Sequence, residues 1–381
     1  MNFELTDDQR MVRDTARDFA TREIAPLAAE LDKTERWPAE IIAKMAELGF
    51  LGVAIPSEFG GAGLDTLSYA LVMEEISAAC ASCGVIMSVN NSLFSDPVYK
   101  FGTEAQKREI LTPVASGKVL GCFGLTEPMS GSDAQTMATV GAKVDGGFVL
   151  NGAKNWITNG PHAEHLIVFA ITERSPSGKA KHTAFLVPRG AAGFTANPRD
   201  HKLGIRAAHS CTLFFQDCFV PDSAVVGQVG DGFKVAMATL DGGRIGIACQ
   251  ALGIARAALE AATAYSKERK SFGKTISEHQ AISFMLADMA TQLDAARLLT
   301  WRAAALKDAG VRHSVESAMA KLYASEASTR ITHKALQIFG GYGYSTEYPA
   351  ERHYRDARIT EIYEGTSEIQ RLVIAAGVLR G

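Results

Sequence analysis

Three textures of hydrophobic and polar positions follow one another along the chain. Up to about residue 120 the pattern reads as helices. Thr6-x-x-Gln9 and Thr103-x-x-Gln106 fit the capping box, in which a hydroxyl and an amide satisfy the first free N–H groups of a helix. Pro38 predicts the start of a helix running through Leu48, with Gly49 closing it. Gly60-Gly61-Ala62-Gly63 then marks a loop. From about 121 to 228 the period changes. Short segments rich in strand formers follow one another: Phe148-Val149-Leu150, Leu166-Ile167-Val168-Phe169, Thr183 to Val187 and Thr212 to Phe215. Turn residues such as Asp145-Gly146-Gly147 and Asn159-Gly160-Pro161 separate them, with no long helices between. A small antiparallel β domain is predicted. Beyond about 229 helical spacing returns, with Ile282, Leu286, Met289, Leu293 and Ala296 on one face. Ala-rich stretches such as 255–264 allow helices to approach closely. The chain is therefore read as α+β: an N-terminal helical domain (1–120), a middle antiparallel β domain (121–228) and a C-terminal helical bundle (229–381).

Composition narrows the function classes. Of 381 residues, 47% are apolar and the net charge is −3, which gives no electrostatic reason to expect nucleic acid or an anionic membrane as partner. No apolar run approaches the ~18 residues of a spanning helix. Met1 to Leu5 lack the basic start and apolar stretch of a signal peptide and the Arg- and Ser-rich character of a transit peptide. The six cysteines stand in a chain too large to need staples, so reduced thiols are expected. A bacterial source would make the protein cytoplasmic; a processed eukaryotic chain would sit in the mitochondrial matrix.

Several familiar motifs fail. Gly273-Lys274-Thr275 resembles the end of a phosphate-binding loop, but Glu268 stands where its first Gly is required. Neither G-x-G-x-x-G nor G-x-S-x-G occurs. Cys80-Ala-Ser-Cys83 lies in helical texture without zinc-like partners and reads as buried structural thiols. His162 and His165 flank a turn and read as solvated loop histidines, so no metal is implied.

Other segments resist a bland explanation. Gly124-Leu-Thr-Glu-Pro-Met-Ser-Gly-Ser-Asp133, Gln337-Ile-Phe-Gly-Gly-Tyr-Gly-Tyr344 and Ile362-Tyr-Glu-Gly-Thr-Ser-Glu-Ile-Gln-Arg371 resemble, in order, signatures of the acyl-CoA dehydrogenases. The resemblance covers nearly the whole chain. It implies FAD as cofactor, because side chains can remove an α-proton but cannot accept a β-hydride.

On this resemblance Glu364 is the general base. A Glu at a helix start would otherwise face solvent, favoured there by the helix dipole. Gly365 lets the backbone approach the thioester, and bound substrate should raise the Glu364 pKa toward the ~6–7 that suits a base. Some relatives carry their base at the position held here by Gly243, which cannot take a proton. Asp241, Arg244, Tyr363, Gly365 and Ser132 are implied for the acyl-CoA. Phe123, Leu125, Thr126, Gly131, Ser132, Trp156 and Thr158 are implied for the flavin half of FAD. Arg269, Phe272, Gln280, Gln337, Gly340 and Gly341 are implied for its adenine half across a subunit boundary, with Thr366 and Glu368 near the cofactor. A homotetramer built as a dimer of dimers follows from the same likeness, as does an electron-transferring flavoprotein as electron acceptor.

Pro349 to Glu361 and Gly243 to Ala248 most resemble the short-chain, butyryl-CoA type. The implied reaction converts a short acyl-CoA to the trans-2-enoyl-CoA. Short branched acyl groups such as isobutyryl or 2-methylbutyryl remain alternatives, since one methylene is worth only ~1–3 kcal/mol in a pocket. A same-fold flavin oxidase and a non-catalytic scaffold are the competing classes. Met129 departs from the family pattern, where many relatives carry Gly.

Overall fold

The computed structural model describes residues 4–175, 178 and 180–380; Met1 to Phe3, part of the targeting argument, lie outside the described residues. The N-terminal zone contains helices α1 (Asp7–Phe19), α2 (Ala39–Glu47), α3 (Thr66–Ala79) and α4 (Ala81–Ser88). The Thr6/Gln9 capping box opens α1, with the Gln9 N–H donating to Thr6 Oγ1 at 3.2 Å. Thr103 and Gln106 form the second box as predicted. Gly49, at φ 73°, turns the chain after α2 in a left-handed conformation that a glycine adopts without a Cβ clash. Helix α3 is buried on nearly every side, which marks it as a core helix.

The middle zone is one twisted sheet. Its strands are β1 (Gly121–Gly124), β2 (Val140–Val144), β3 (Gly147–Thr158), β4 (His165–Arg174), β5 (Ala180–Pro188), β6 (Phe194–Ala196), β7 (Ser210–Pro221) and β8 (Val225–Val226). The order is β6-β7-β3-β2-β4-β5-β8, with β1 joined to β4. Most pairs are antiparallel, but the expectation of a purely antiparallel sheet needs amendment. β1 pairs with β4 in parallel from Gly121↔His165 to Gly124↔Val168, and β2 meets β4 in parallel at Val140↔Ile171. The β2–β3 hairpin lies within the crossover that such a parallel pair requires.

Strand β4 shows why the sheet is held firmly. Leu166, Val168 and Ala170 enter a core on one face, whereas Ile167, Phe169 and Ile171 enter the larger core shared with the helices. A one-residue slip would exchange the two sets.

The C-terminal zone holds α5 (Gly232–Glu268), α6 (Gln280–Asp308), α7 (Ser314–Phe339), α8 (Ala350–Ile359) and α9 (Ser367–Arg380). Met289, Leu293 and Ala296 are buried on the predicted face of α6. Helix α5 runs through the centre, buried almost continuously from Gly242 to Ala255. A methyl group at Gly253 would lie 2.5 Å from the Glu74 carbonyl, so glycine there lets α5 press onto α3. The helix also corrects the hydropathy reading: its best window has mean hydropathy 1.3, long and apolar enough to cross a membrane, yet 72% of that window is buried inside the protein. Interspersed Gly, Gln and Arg hide this window from a search for unbroken apolar runs.

Two further corrections concern histidines read as solvated loop residues: His165 is half-buried and begins strand β4, and the other is His162. His162 is not a solvated loop residue: its ring stacks on Trp37 at 3.8 Å and bonds His209 at 2.8 Å. Burial pushes its pKa down to about 4. All six cysteines are free and buried.

Candidate active site

Between α8 and α9 the chain makes a tight loop. Glu364 (φ 52°) and Gly365 (φ 95°) are left-handed in succession. Such a conformation costs a non-glycine residue on the order of 1–3 kcal/mol and persists only where its surroundings over-determine it. They do so here. The Gln370 amide donates to the Gly365 carbonyl at 2.9 Å and to the Glu364 carbonyl at 3.3 Å. Lys321 Nζ donates to the same Gly365 carbonyl at 2.7 Å.

The turn brings the Glu364 carboxyl against α5. A methyl group built on Gly243 would lie 2.1 Å from Glu364 Oε2. Positions 243 and 364 therefore compete for one volume, and the glycine leaves it to the carboxyl. Among the described residues Oε2 is buried without a hydrogen-bond partner. Burial disfavours its charged form and pushes the Glu364 pKa up to about 7, while Lys321 and Arg244 pull it down. The Tyr363 hydroxyl donates to Gln250 rather than to the carboxyl.

This carboxyl lies on the wall of a cavity of ≈ 320 Å³. Val85, Val89 and Leu93 reach it from the N-terminal zone; Phe233, Met237 and Leu240 line it from α5. Phe123, Leu125, Thr126, Gly131 and Ser132 form another wall, and Trp156 and Thr158 a third. Tyr363, Gly365 and Arg244 complete the sequence-derived residues gathered there. Asp241 is not on the wall. It holds Arg244 from behind, Oδ1 accepting from Nη1 at 2.6 Å, and its other oxygen accepts from Ser314 Oγ at 2.5 Å.

Trp156 sits at a bulge in β3, where register against β7 shifts between Lys154 and Ile157. Its φ of 61° is unusual for a bulky residue, and the residue stays 58% exposed. An apolar ring displayed in this way, beside a Gly131 with nothing within 4 Å of a built methyl group, leaves room for a flat aromatic ligand.

Arg269, Gly340 and Gly341 border a different cleft with Tyr265 and Tyr342, sharing no lining residue with the cavity. The Arg269 guanidinium lies 5.4 Å from the Tyr342 ring centre. Phe272, at φ 49°, is 94% exposed. Gln280 begins α6, and Gln337 is exposed near the end of α7. Glu368 is exposed in the first turn of α9, and the Thr366 hydroxyl accepts from the Ile369 N–H at 3.4 Å. Neither lines the cavity. Met129 is exposed in its loop, away from the cavity wall.

Some residues that shape the site escaped sequence reading. Lys154 Nζ pairs with Glu127 Oε1 at 2.7 Å, both buried, and Glu127 also accepts from the Thr139 N–H at 3.0 Å and the Ala138 N–H. This pair clamps the loop after β1 to the strand that displays Trp156. The Asn155 N–H donates to the Thr126 carbonyl at 2.8 Å beside it. Glu127 stood inside the quoted motif, and a lysine inside an apolar strand was the available signal for its partner. Lys321 and Gln370 carried no local signal.

Three family profiles match the chain. They are the acyl-CoA dehydrogenase N-terminal domain at residues 6–118, middle domain at 122–218 and C-terminal domain at 230–379. A mitochondrial short-chain specific acyl-CoA dehydrogenase of Bos taurus is 55% identical over 99% of this chain and 91% of its own. Butyryl-CoA dehydrogenase from Megasphaera elsdenii superposes with TM-score 0.97 at 46% identity, covering 100% of both chains. A chain from a structure of the electron transferring flavoprotein of Acidaminococcus fermentans, directed at flavin-based electron bifurcation, superposes with TM-score 0.97 at 47% identity over 100% of both chains.

Proposed function

This chain belongs to the acyl-CoA dehydrogenase family, and from that premise we propose that Glu364 removes the α-proton of a short-chain acyl-CoA bound in the cavity. The chain is an FAD-dependent oxidoreductase acting on short acyl-CoA thioesters, of which butyryl-CoA is the type. The chemistry that FAD supplies when bound is acceptance of the β-hydride, so the saturated thioester leaves as the trans-2-enoyl-CoA.

The observation carrying the assignment of the base is the unpaired, buried Oε2 of Glu364 on an otherwise largely apolar wall. A carboxyl near pKa 7 is half deprotonated at neutral pH and basic enough to take a proton. Phe123, Leu125 and Leu93 exclude water from the reacting carbons. Gly365 keeps the backbone beside the thioester free of a Cβ. Trp156, Thr126, Thr158, Gly131 and Ser132 would hold the flavin ring, and Trp156 offers it an apolar face. Arg244, kept in place by Asp241 at 2.6 Å, would lie near the CoA chain of the bound thioester. A second cavity, lined by Lys181, His182 and Gly230, shares Gln135 and Phe233 with the first, which suits a long CoA tail leaving the reacting end.

The cleft at Arg269 and the exposed Phe272 support a cofactor half held across a subunit boundary in a homotetramer. Sedimentation of the FAD-loaded protein tests this, and a monomer retaining FAD would remove it. The same reading takes residues 1–120, 121–228 and 229–381 as its domains. It includes an electron-transferring flavoprotein as acceptor and an aqueous compartment without membrane insertion, α5 being a core helix.

The test is anaerobic bleaching of bound flavin by butyryl-CoA, isobutyryl-CoA and octanoyl-CoA in turn. Fast bleaching with butyryl-CoA is expected. Faster bleaching with another would move the substrate, and none at all in FAD-loaded protein would overturn the function.

A further inference from the structure

Helix α7 carries a lysine where its surroundings call for a small or apolar residue. Ser317, Ala318, Ala320, Ala324 and Ser325 around it are all buried, and Lys321 itself is 0% exposed. A buried ammonium is costly unless it is paired. Among the described residues its hydrogen bond goes to the Gly365 carbonyl at 2.7 Å, and it forms no direct ion pair.

The charged groups facing Lys321 are Glu364 in the loop, Arg244 on α5, Glu361 before the loop and Glu368 on α9. Glu361 is already committed to Arg358 at 2.6 Å and to Thr329, and Glu368 is exposed. Glu364 remains, with one oxygen unpartnered. From its own side Glu364 is faced by Lys321, by Arg244 and by the hydroxyl-bearing ring of Tyr69 on α3. Arg244 is largely neutralised by Asp241 at 2.6 Å. Among the described residues Lys321 is thus the cation beside Glu364 that has no ion pair of its own.

We propose that Lys321 is a positioning residue for the base: by holding the Gly365 carbonyl it locks the left-handed turn that aims Glu364, and its charge keeps that buried carboxyl ionised. The inference rests on the assignment of Glu364 as the base. It deepens that assignment by explaining why a strained turn and an unpaired carboxylate coexist. Burial pulls the Lys321 pKa down to about 8 and pushes that of Glu364 up to about 7. Between these two values both groups carry charge. Below the window the base is protonated; above it the lysine loses its proton and the Glu364 carboxylate loses its counter-charge.

The test follows the infrared carbonyl band of protonated Glu364, identified by its absence in Glu364→Gln, against pH in the FAD-loaded enzyme. In Lys321→Met the midpoint should rise by about one pH unit or more. At neutral pH that one-unit rise cuts the ionised fraction of Glu364 about fivefold, and kcat should fall at least as far, with KM nearly unchanged. Lys321→Arg should restore most of the midpoint, which a purely structural role would not require. A folded Lys321→Met with an unmoved midpoint overturns the proposal, even where Glu364→Gln is inactive. A fully active Glu364→Gln overturns instead the base assignment beneath it. Should Lys321→Met fail to fold, the reciprocal measurement is NMR titration of 13C-labelled lysine in Glu364→Gln. There the Lys321 pKa should fall further, and an unchanged value refutes the coupling.

Discussion

Replacing Glu364 by Gln keeps the shape of the side chain while removing both the proton acceptor and the buried charge. Activity and stability should therefore move in opposite directions. Loss of a positioned base typically lowers kcat by about 10²–10⁴-fold, or about 3–5 kcal/mol of barrier. The stability effect follows from the carboxyl pKa, raised from an ordinary 4.5 to about 7 in the folded protein. The unfolded chain releases this proton near its ordinary value and the folded chain only near 7. Between the two the unfolded state binds fewer protons, so wild-type stability falls as pH rises. At 1.36 kcal/mol per pH unit, the loss approaches about 3 kcal/mol by pH ~8. Gln carries no such penalty. Denaturant midpoints of the two proteins should nearly coincide near pH ~4, below the unfolded value, and Glu364→Gln should be the more stable near pH ~8. Flavin bleaching by butyryl-CoA reads the activity. An inactive variant with no gain in stability at the higher pH would refute the desolvation argument, and an active one would refute the role of Glu364.

Gly243→Ala places a methyl group where Glu364 Oε2 now lies, 2.1 Å away, so the carboxyl must move. Bleaching by butyryl-CoA should slow about tenfold or more while the flavin stays bound; an unchanged rate would show that the carboxyl has room to spare. Lys154→Met leaves Glu127 buried without its cation, and breaking a buried pair from one side costs about 3–5 kcal/mol. The variant should melt lower and release FAD faster on dialysis, and wild-type retention would show that the pair does not brace the flavin loop.

Much of this protein is written locally. Thr6 and Gln9 cap a helix whatever lies elsewhere, Gly49 ends one because it alone turns left-handed cheaply, and alternation marks the strands because neighbouring side chains point to opposite faces. The family motifs likewise sit in short runs, and Phe123, Leu125, Thr126, Gly131, Ser132, Trp156, Thr158 and Glu364 meet at one cavity. Contacts distant in sequence were not legible. Whether β1 would lie parallel to β4 depended on what filled the crossover between them. His162 reads as a loop residue until Trp37, far earlier in the chain, stacks on it. Asp241, Thr366 and Glu368 neighbour site residues in sequence but do not line the cavity, because a side chain's direction is decided by the turn that carries it. The sharpest case is the base itself. The sequence offered a glutamate at 364 and a glycine at 243. Only the packing of the loop against α5 put both in one volume, with Lys321 behind them on the Gly365 carbonyl.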